Sequence, residues 1–195
     1  MLCAKIIQTY QDENGRLAVA GDVADAVAEA DRIYIVACGT SYHAGLVGKQ
    51  YIEMWANVPV EVHVASEFST TCRFCLRSRS FIFLSQSGET AGQPRRACSS
   101  QSAGSQSADN YKRSGINAFP READYTLLLH AGPEIAVAST KAYTAQIAVL
   151  AIVASVAAEC NGVDIGFDLV KRIRYCGKRH GSPLRPEGRN GNDRT

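Results

Sequence analysis

The sequence predicts an α/β fold built on an open, parallel β-sheet. The first indication is two continuous apolar runs, residues 33–37 and 81–84, in which no charged residue interrupts the run. Such runs are typical of strands that are covered on both faces, as in a parallel sheet. The second indication is that Ala-rich helical stretches alternate with the short strand-like runs, which is the order of elements in α/β proteins.

Each element follows from a local pattern. Polar residues 12–15 end a first helix, and an Ala-rich, acidic stretch forms the second. Residues 41–57 carry apolar residues at helical spacing, whereas residues 58–64 alternate as a strand does. In chain order we expect a helix ending near Tyr10, a helix over Asp22–Ala30, a strand at Arg32–Ala37, a helix over Ser41–Asn57, a strand over Val58–Val64, a strand at Phe81–Leu84, a strand at Leu127–Leu129 and a helix over Thr140–Cys160.

Composition excludes several classes of function. The net charge of +2 is too small to indicate binding to nucleic acid or to an anionic membrane surface. The apolar stretch 147–158 is too short to cross a bilayer, and no secretory signal pattern opens the sequence. Cys38 and Cys160 lie in apolar settings typical of packed, reduced thiols. We therefore expect a cytoplasmic protein with one α/β domain and no membrane or nucleic-acid partner.

Small hydroxyl residues follow two of the predicted strands. Cys38–Ser41 comes after the first apolar run and Ser85–Thr90 after the second, with a third cluster at Ser139–Thr140. Backbone N–H groups and hydroxyls at a helix start suit an anionic oxygen ligand, most often a phosphate. Because the carboxyl ends of parallel strands share one edge, we expect a common pocket there. From the residues alone, a plain helix N-cap explains Ser85–Thr90 equally well.

Three segments do not fit the α/β pattern. Residues 70–80 mix Cys, Arg and Ser without a period, and residues 92–115 contain no Val, Leu, Ile, Phe or Met. Residues 176–195 are basic and rich in Gly, and show no amphipathic pattern. Loops this long are uncommon inside a compact domain, so these three segments do not fit the assignment of the whole chain to a regular α/β domain.

Other stretches make the sequence recognisable. RIYIVACGTSYHAGLVGKQYIE, VEVHVASEF, FIFLSQSGETA and especially HAGPEIAVASTKAYTAQ closely resemble the glutamine–fructose-6-phosphate aminotransferase family. The resemblance is to the first of the two sugar-isomerase (SIS) subdomains and covers residues 6–68, 81–91 and 121–175. It implies a three-layer α/β/α, flavodoxin-like SIS domain with a parallel sheet. The implied domains are a helical lead over residues 1–24, the SIS domain over 25–175 with aberrant stretches at 70–80 and 92–120, and a disordered tail over 176–195.

The resemblance also implies a binding site for fructose 6-phosphate or glucosamine 6-phosphate. It needs neither metal nor cofactor, and the family suggests a homodimer through the SIS domains. The matched substrate-binding positions are Cys38, Gly39, Thr40, Ser41, Ser85, Gln86, Ser87, Thr90, Val137, Ala138 and Ser139. Lys141 and Gln146 continue the following helix without an assigned role.

No catalytic residue is expected in this chain. The family's sugar chemistry needs a Schiff-base lysine, a proton-moving carboxylate and a ring-opening histidine, which belong to parts of the family that this sequence does not match. Cys3 does not match the family's glutaminase nucleophile, and Lys141 matches a different lysine. The resemblance therefore implies a fragment of an aminotransferase that binds the sugar phosphate and is inactive alone.

Two other functional interpretations stay open. One is a non-catalytic SIS module that binds a phosphosugar for regulation, and the other is a non-functional gene fragment. The abrupt ends of the resemblance at the aberrant segments suggest stretches read in a shifted frame. The remaining candidates have structural explanations. Cys72 and Cys75 lack a second ligand pair, His43 fits a helix surface and His63 fits strand packing, and Glu89 and Glu134 fit helix starts.

Overall fold

The computed structural model describes residues 2–19, 21–71, 79–85, 111–116, 125–130 and 140–173. The elements in this part of the chain are α1 (Leu2–Thr9), α2 (Gly21–Ala28), β1 (Arg32–Ala37), α3 (Thr40–Tyr51), a π-helical segment (Ile52–Ala56), β2 (Val60–Val64), α4 (Ala65–Thr71), β3 (Arg79–Leu84), β4 (Tyr111–Ile116), β5 (Tyr125–Leu127) and α5 (Thr140–Cys160). The predicted helices and strands occur in the predicted order, and α4 and β4 are additional to them.

The five strands form one parallel sheet in the order β2-β1-β3-β4-β5. In its register, Ile35 of β1 lies beside Val62 of β2 and Ile82 of β3. This strand order is the flavodoxin-like one, in which the chain reverses direction across the sheet after its second strand. The predicted fold class, a parallel sheet between helical layers, is confirmed.

Alternate residues of β1 enter different cores. Ile33, Ile35 and Ala37 are buried beneath α1, α2, α3 and α5, whereas Val36 belongs to a smaller cluster on the opposite face. Successive side chains of a strand point to opposite faces, so a continuous apolar run can fill two cores at once. This is the physical reason that the run is not interrupted by polar residues.

The second face of the sheet holds an aromatic cluster under α4. Phe68 of α4 and Phe81 of β3 are buried, with ring centroids 5.9 Å apart. Tyr34 stacks on Phe81 at 5.3 Å and on His63 at 5.7 Å. His63 is therefore a strand-packing residue, and His43 lies exposed on α3, as the sequence predicts for both.

Helix α5 is the central helix of the first face. Its side chains are buried along almost its whole length, from Ala142 to Ala158. By length and composition it is apolar enough to cross a membrane, but most of it is enclosed by the other elements, as in the core helix of a soluble protein. Burial on all sides explains why the helix carries no polar stripe.

Two glycines let α3 approach its neighbours closely. A Cβ on Gly48 would lie 2.6 Å from Cδ1 of Leu150 in α5, and one on Gly45 would lie 2.9 Å from Cγ2 of Ile35 in β1. Both distances are too short for real carbon contacts. Helix α3 therefore lies closer to the sheet and to α5 than an alanine at either position would allow.

The structure differs from the expected elements in several places. The helix expected over 41–57 ends its α-helical part at Tyr51, and the strand expected at Leu127–Leu129 lies at Tyr125–Leu127. Strand β4 occupies residues that the sequence marks as lacking apolar character. Cys160, expected to be packed, is exposed at the end of α5. Residues 72–78, 86–110, 117–124, 131–139 and 174–195 lie outside the described residues, so the domain boundaries and the shifted-frame interpretation stay predictions.

Candidate functional site

The carboxyl ends of β1 and β3 lie side by side at the topological switch point of the sheet, where the order of the strands reverses. From β1 the chain passes through α3 to β2 on one side, and β3 lies on the other side of β1. In open α/β sheets, ligands bind in the crevice outside the carboxyl ends of the strands at this point. The two hydroxyl-rich loops therefore begin at adjacent positions, as the sequence predicts.

The first loop turns sharply at Gly39. This residue precedes α3 with φ of 58° and ψ of −131°, a conformation that side chains disfavour. The turn places the start of α3 directly after β1, where the first N–H groups of the helix have no intrahelical acceptor. Thr40 is exposed at this start, and Cys38 is half-buried against the aromatic cluster. Cys38 is thus a small packed residue, as expected.

Two serines at this edge are buried. Ser41, the second residue of α3, is 7% exposed, and Ser85, which follows β3 directly, is 2% exposed. The Nε2 atom of Gln146 in α5 donates a hydrogen bond to Oγ of Ser41 over 2.8 Å. This contact joins residues that are 105 positions apart in the sequence. It fixes the relative position of α3 and α5 next to the loop.

Gln146 is only partly satisfied. Its side chain is 1% exposed, and within the described part of the chain its Oε1 atom accepts no hydrogen bond. A buried polar atom without a partner costs about 1–3 kcal/mol. This free-energy cost arises at Gln146, the residue that donates a hydrogen bond to Ser41.

Part of the predicted site lies among the described residues. It brings Cys38, Gly39, Thr40, Ser41 and Ser85 to one edge of the sheet. The other predicted positions lie outside the described residues, namely Gln86, Ser87, Thr90, Val137, Ala138 and Ser139.

Gln146 is a feature to which the sequence reasoning assigned no role. The available signal was its position as a lone amide in an otherwise apolar stretch of α5. Such a residue needs a polar partner when the helix is buried, but the partner cannot be read from local sequence.

The remaining polar groups of the described residues form surface ion pairs and local hydrogen bonds. No group of three metal-ligating side chains occurs in this part of the chain. Glu61 of β2 bonds to Arg32 and His63. Slight burial raises the pKa of Glu61, but these two hydrogen bonds outweigh burial and hold the pKa below its ordinary value.

A separate cavity of 670 Å³ lies between α1, the π-helical segment and α5. Its walls are mainly apolar, with Leu2, Trp55, Phe167 and Ile173 among them. A phosphate needs hydrogen-bond donors, so this cavity suits such a ligand less well than the edge beside Ser41.

Comparisons with known proteins agree with the fold and the motifs. Residues 26–94 match the model of the SIS domain. Over 169 residues, 87% of its length, the chain is 69% identical to the glutamine–fructose-6-phosphate aminotransferases [isomerizing] of Bacillus spizizenii and of Bacillus subtilis. The chain spans 28% of the length of these curated relatives.

A solved structure shows the same arrangement. The C-terminal domain of glucosamine-fructose-6-phosphate aminotransferase from Francisella tularensis matches with a TM-score of 0.73 and 30% identity. The match covers 91% of this chain and 49% of that one. Both comparisons therefore match this chain to one part of the longer aminotransferases.

Proposed function

The chain is a SIS-domain homologue of part of the glutamine–fructose-6-phosphate aminotransferases, and from that premise we propose that it binds fructose 6-phosphate. The phosphate would lie at the carboxyl ends of β1 and β3. The observation that carries the proposal is the pair of buried hydroxyls, Ser41 and Ser85, at the switch point of a flavodoxin-like sheet. Relatives that share most of this sequence are named for an enzyme that acts on this sugar phosphate.

The geometry suits the chemistry of a phosphate group. Phosphate oxygens accept several hydrogen bonds, and they are favoured at the positive end of a helix dipole. The start of α3 supplies backbone N–H groups, and Ser41 and Ser85 supply hydroxyl groups. Gly39 allows the backbone to turn so that both kinds of donor reach one edge.

The reaction of the relatives converts fructose 6-phosphate and glutamine to glucosamine 6-phosphate and glutamate. Because the lysine, carboxylate and histidine required for the sugar chemistry are not among the matched positions, we assign this chain binding without turnover. Within a longer protein or a homodimer, in the cytoplasm, the same site would hold the phosphate while groups from elsewhere act on the sugar. No metal and no cofactor enters this account.

Calorimetric titration tests the proposal directly. Fructose 6-phosphate is titrated into the 195-residue chain, and fructose, which lacks the phosphate, is the control ligand. Ser41→Ala removes a hydrogen bond to a charged group and should weaken binding by about 1.5–3 kcal/mol, or roughly ten- to a hundredfold. Ser155→Ala, near the far end of α5, is the matched control and should leave the affinity unchanged.

Binding of fructose 6-phosphate without binding of fructose is the expected result. Equal affinity for both ligands, or no heat with either, would overturn the proposal. Equal losses in Ser41→Ala and Ser155→Ala would show that the effect is one of stability and not of contact with the ligand.

A further inference from the structure

We propose that Gln146 is a positioning residue that directs the hydroxyl hydrogen of Ser41 toward the bound phosphate. This inference rests on the proposed function, since it concerns the same site. Gln146 lies in α5, and its action would be on the single proton of the Ser41 hydroxyl.

The hydrogen bond between Gln146 and Ser41 has a defined direction. A serine hydroxyl has one hydrogen to donate and lone pairs that accept. The Oγ atom of Ser41 accepts from Nε2 of Gln146 over 2.8 Å, so its own hydrogen does not point at the amide nitrogen. The hydroxyl is left as a donor for another acceptor, and an anionic oxygen is the strongest acceptor.

Both side chains are buried. Ser41 is 7% exposed and Gln146 is 1% exposed, so little water competes for the hydroxyl or the amide. A freely rotating serine would lose rotational freedom on binding an anion. The hydrogen bond from the amide of Gln146 already restricts this rotation in the free protein, so less entropy is lost on binding. This is the general advantage of preorganised donors.

The amide oxygen of Gln146 is also buried. Within the described residues, Oε1 of Gln146 accepts no hydrogen bond although it is buried. A methionine or leucine of similar volume would fill this position without an unpaired polar atom. The feature that glutamine adds at this position is the N–H donor, and that donor is used on Ser41.

The test is a double-mutant cycle on the full chain with fructose 6-phosphate as the ligand. Gln146→Met should weaken binding by about fivefold to tenfold, less than Ser41→Ala, because the hydroxyl remains but is no longer oriented. In the Ser41→Ala background, Gln146→Met should change the affinity by less than about twofold. Residues that act through one contact show such non-additivity.

A spectroscopic readout separates orientation from packing. The ³¹P chemical shift of bound fructose 6-phosphate should move in Gln146→Met in the same direction as in Ser41→Ala but by less, and the double variant should match Ser41→Ala. Gln146→Leu is the second variant in case methionine disturbs the core, and thermal unfolding confirms that each variant is folded. Ser155→Ala should leave both the affinity and the ³¹P shift unchanged.

The outcomes distinguish this inference from the function on which it rests. Absence of binding to the wild-type chain overturns both. Wild-type binding that Gln146→Met and Gln146→Leu leave unchanged overturns the role of Gln146 alone. Additive losses in Ser41→Ala and Gln146→Met, or a ³¹P shift that only Ser41→Ala moves, would likewise contradict it.

Discussion

Gly39 carries the backbone conformation on which the first loop depends. Its φ of 58° and ψ of −131° lie in a sparsely populated region of the φ/ψ map, where a residue with a Cβ costs on the order of 1–3 kcal/mol, although no atom lies within 4 Å of the Cβ position. Gly39→Ala should therefore lower stability by about that amount and also weaken binding of fructose 6-phosphate. Urea unfolding and calorimetry measure the two effects separately.

Gly162 provides the matched control for this substitution. It also has a positive φ, 68°, and open space around its Cβ position, but it follows the distal end of α5. Gly162→Ala should lower stability to a similar extent and leave the affinity unchanged. An equal loss of affinity in both variants would contradict a specific role for the turn at Gly39.

Tyr10 links the segment that follows α1 to the segment that follows β5. Its hydroxyl donates to the carbonyl oxygen of Leu128 over 2.8 Å. Burial raises the pKa of Tyr10 to about 12, from an ordinary value of 10.0. Because the folded state keeps the proton more tightly, this stabilisation is complete below pH 10 and is lost as the pH rises toward about 12.

Tyr10→Phe should destabilise the chain by about 0.5–1.5 kcal/mol at pH 8. The difference between variant and wild type should narrow above pH 10, since only the wild type loses the tyrosine contribution. Urea unfolding at pH 8 to 11 measures this difference. A difference that stays constant across the range would contradict the assignment.

At the scale of elements, the contact of α3 with α5 depends on Gly48. A Cβ at this position would lie 2.6 Å, 3.1 Å and 3.2 Å from three carbon atoms of Leu150. Gly48→Ala should destabilise the fold by about 1–3 kcal/mol, because overpacking forces the two helices apart. Gln50→Ala, on the exposed face of the same helix, should be close to neutral. A neutral Gly48→Ala in thermal unfolding would contradict the close packing.

The elements also show what local sequence can and cannot predict. Strands β1 and β3 can be predicted from the sequence because their side chains fill two cores, which makes the runs 33–37 and 81–84 continuously apolar. The position of β4 cannot be predicted from the sequence, because residues Tyr111–Ile116 carry no strand pattern. The strand is defined by its pairing with β3. The same limit applies to the site: small residues after a strand predict the loop, but Gln146 meets Ser41 only through the fold.

At the scale of the whole molecule, binding and turnover should be separable. The chain spans 28% of the length of its curated relatives, and the proposal assigns it binding without a catalytic residue. With fructose 6-phosphate and either glutamine or ammonium, we expect no glucosamine 6-phosphate above background. Chromatographic detection of the product measures this. Turnover that scales with the concentration of the chain would contradict the assignment of binding without catalysis.

Thermal unfolding in the presence of fructose 6-phosphate tests the central claim most directly. A ligand that binds only the folded state at about 100 times its Kd stabilises that state by about 2.7 kcal/mol. For a chain of this size we therefore expect one cooperative transition whose Tm rises by roughly 5–10 °C, with no rise from fructose. A chain that shows no cooperative transition, or whose Tm is the same with and without fructose 6-phosphate, would contradict a folded domain that holds this phosphate.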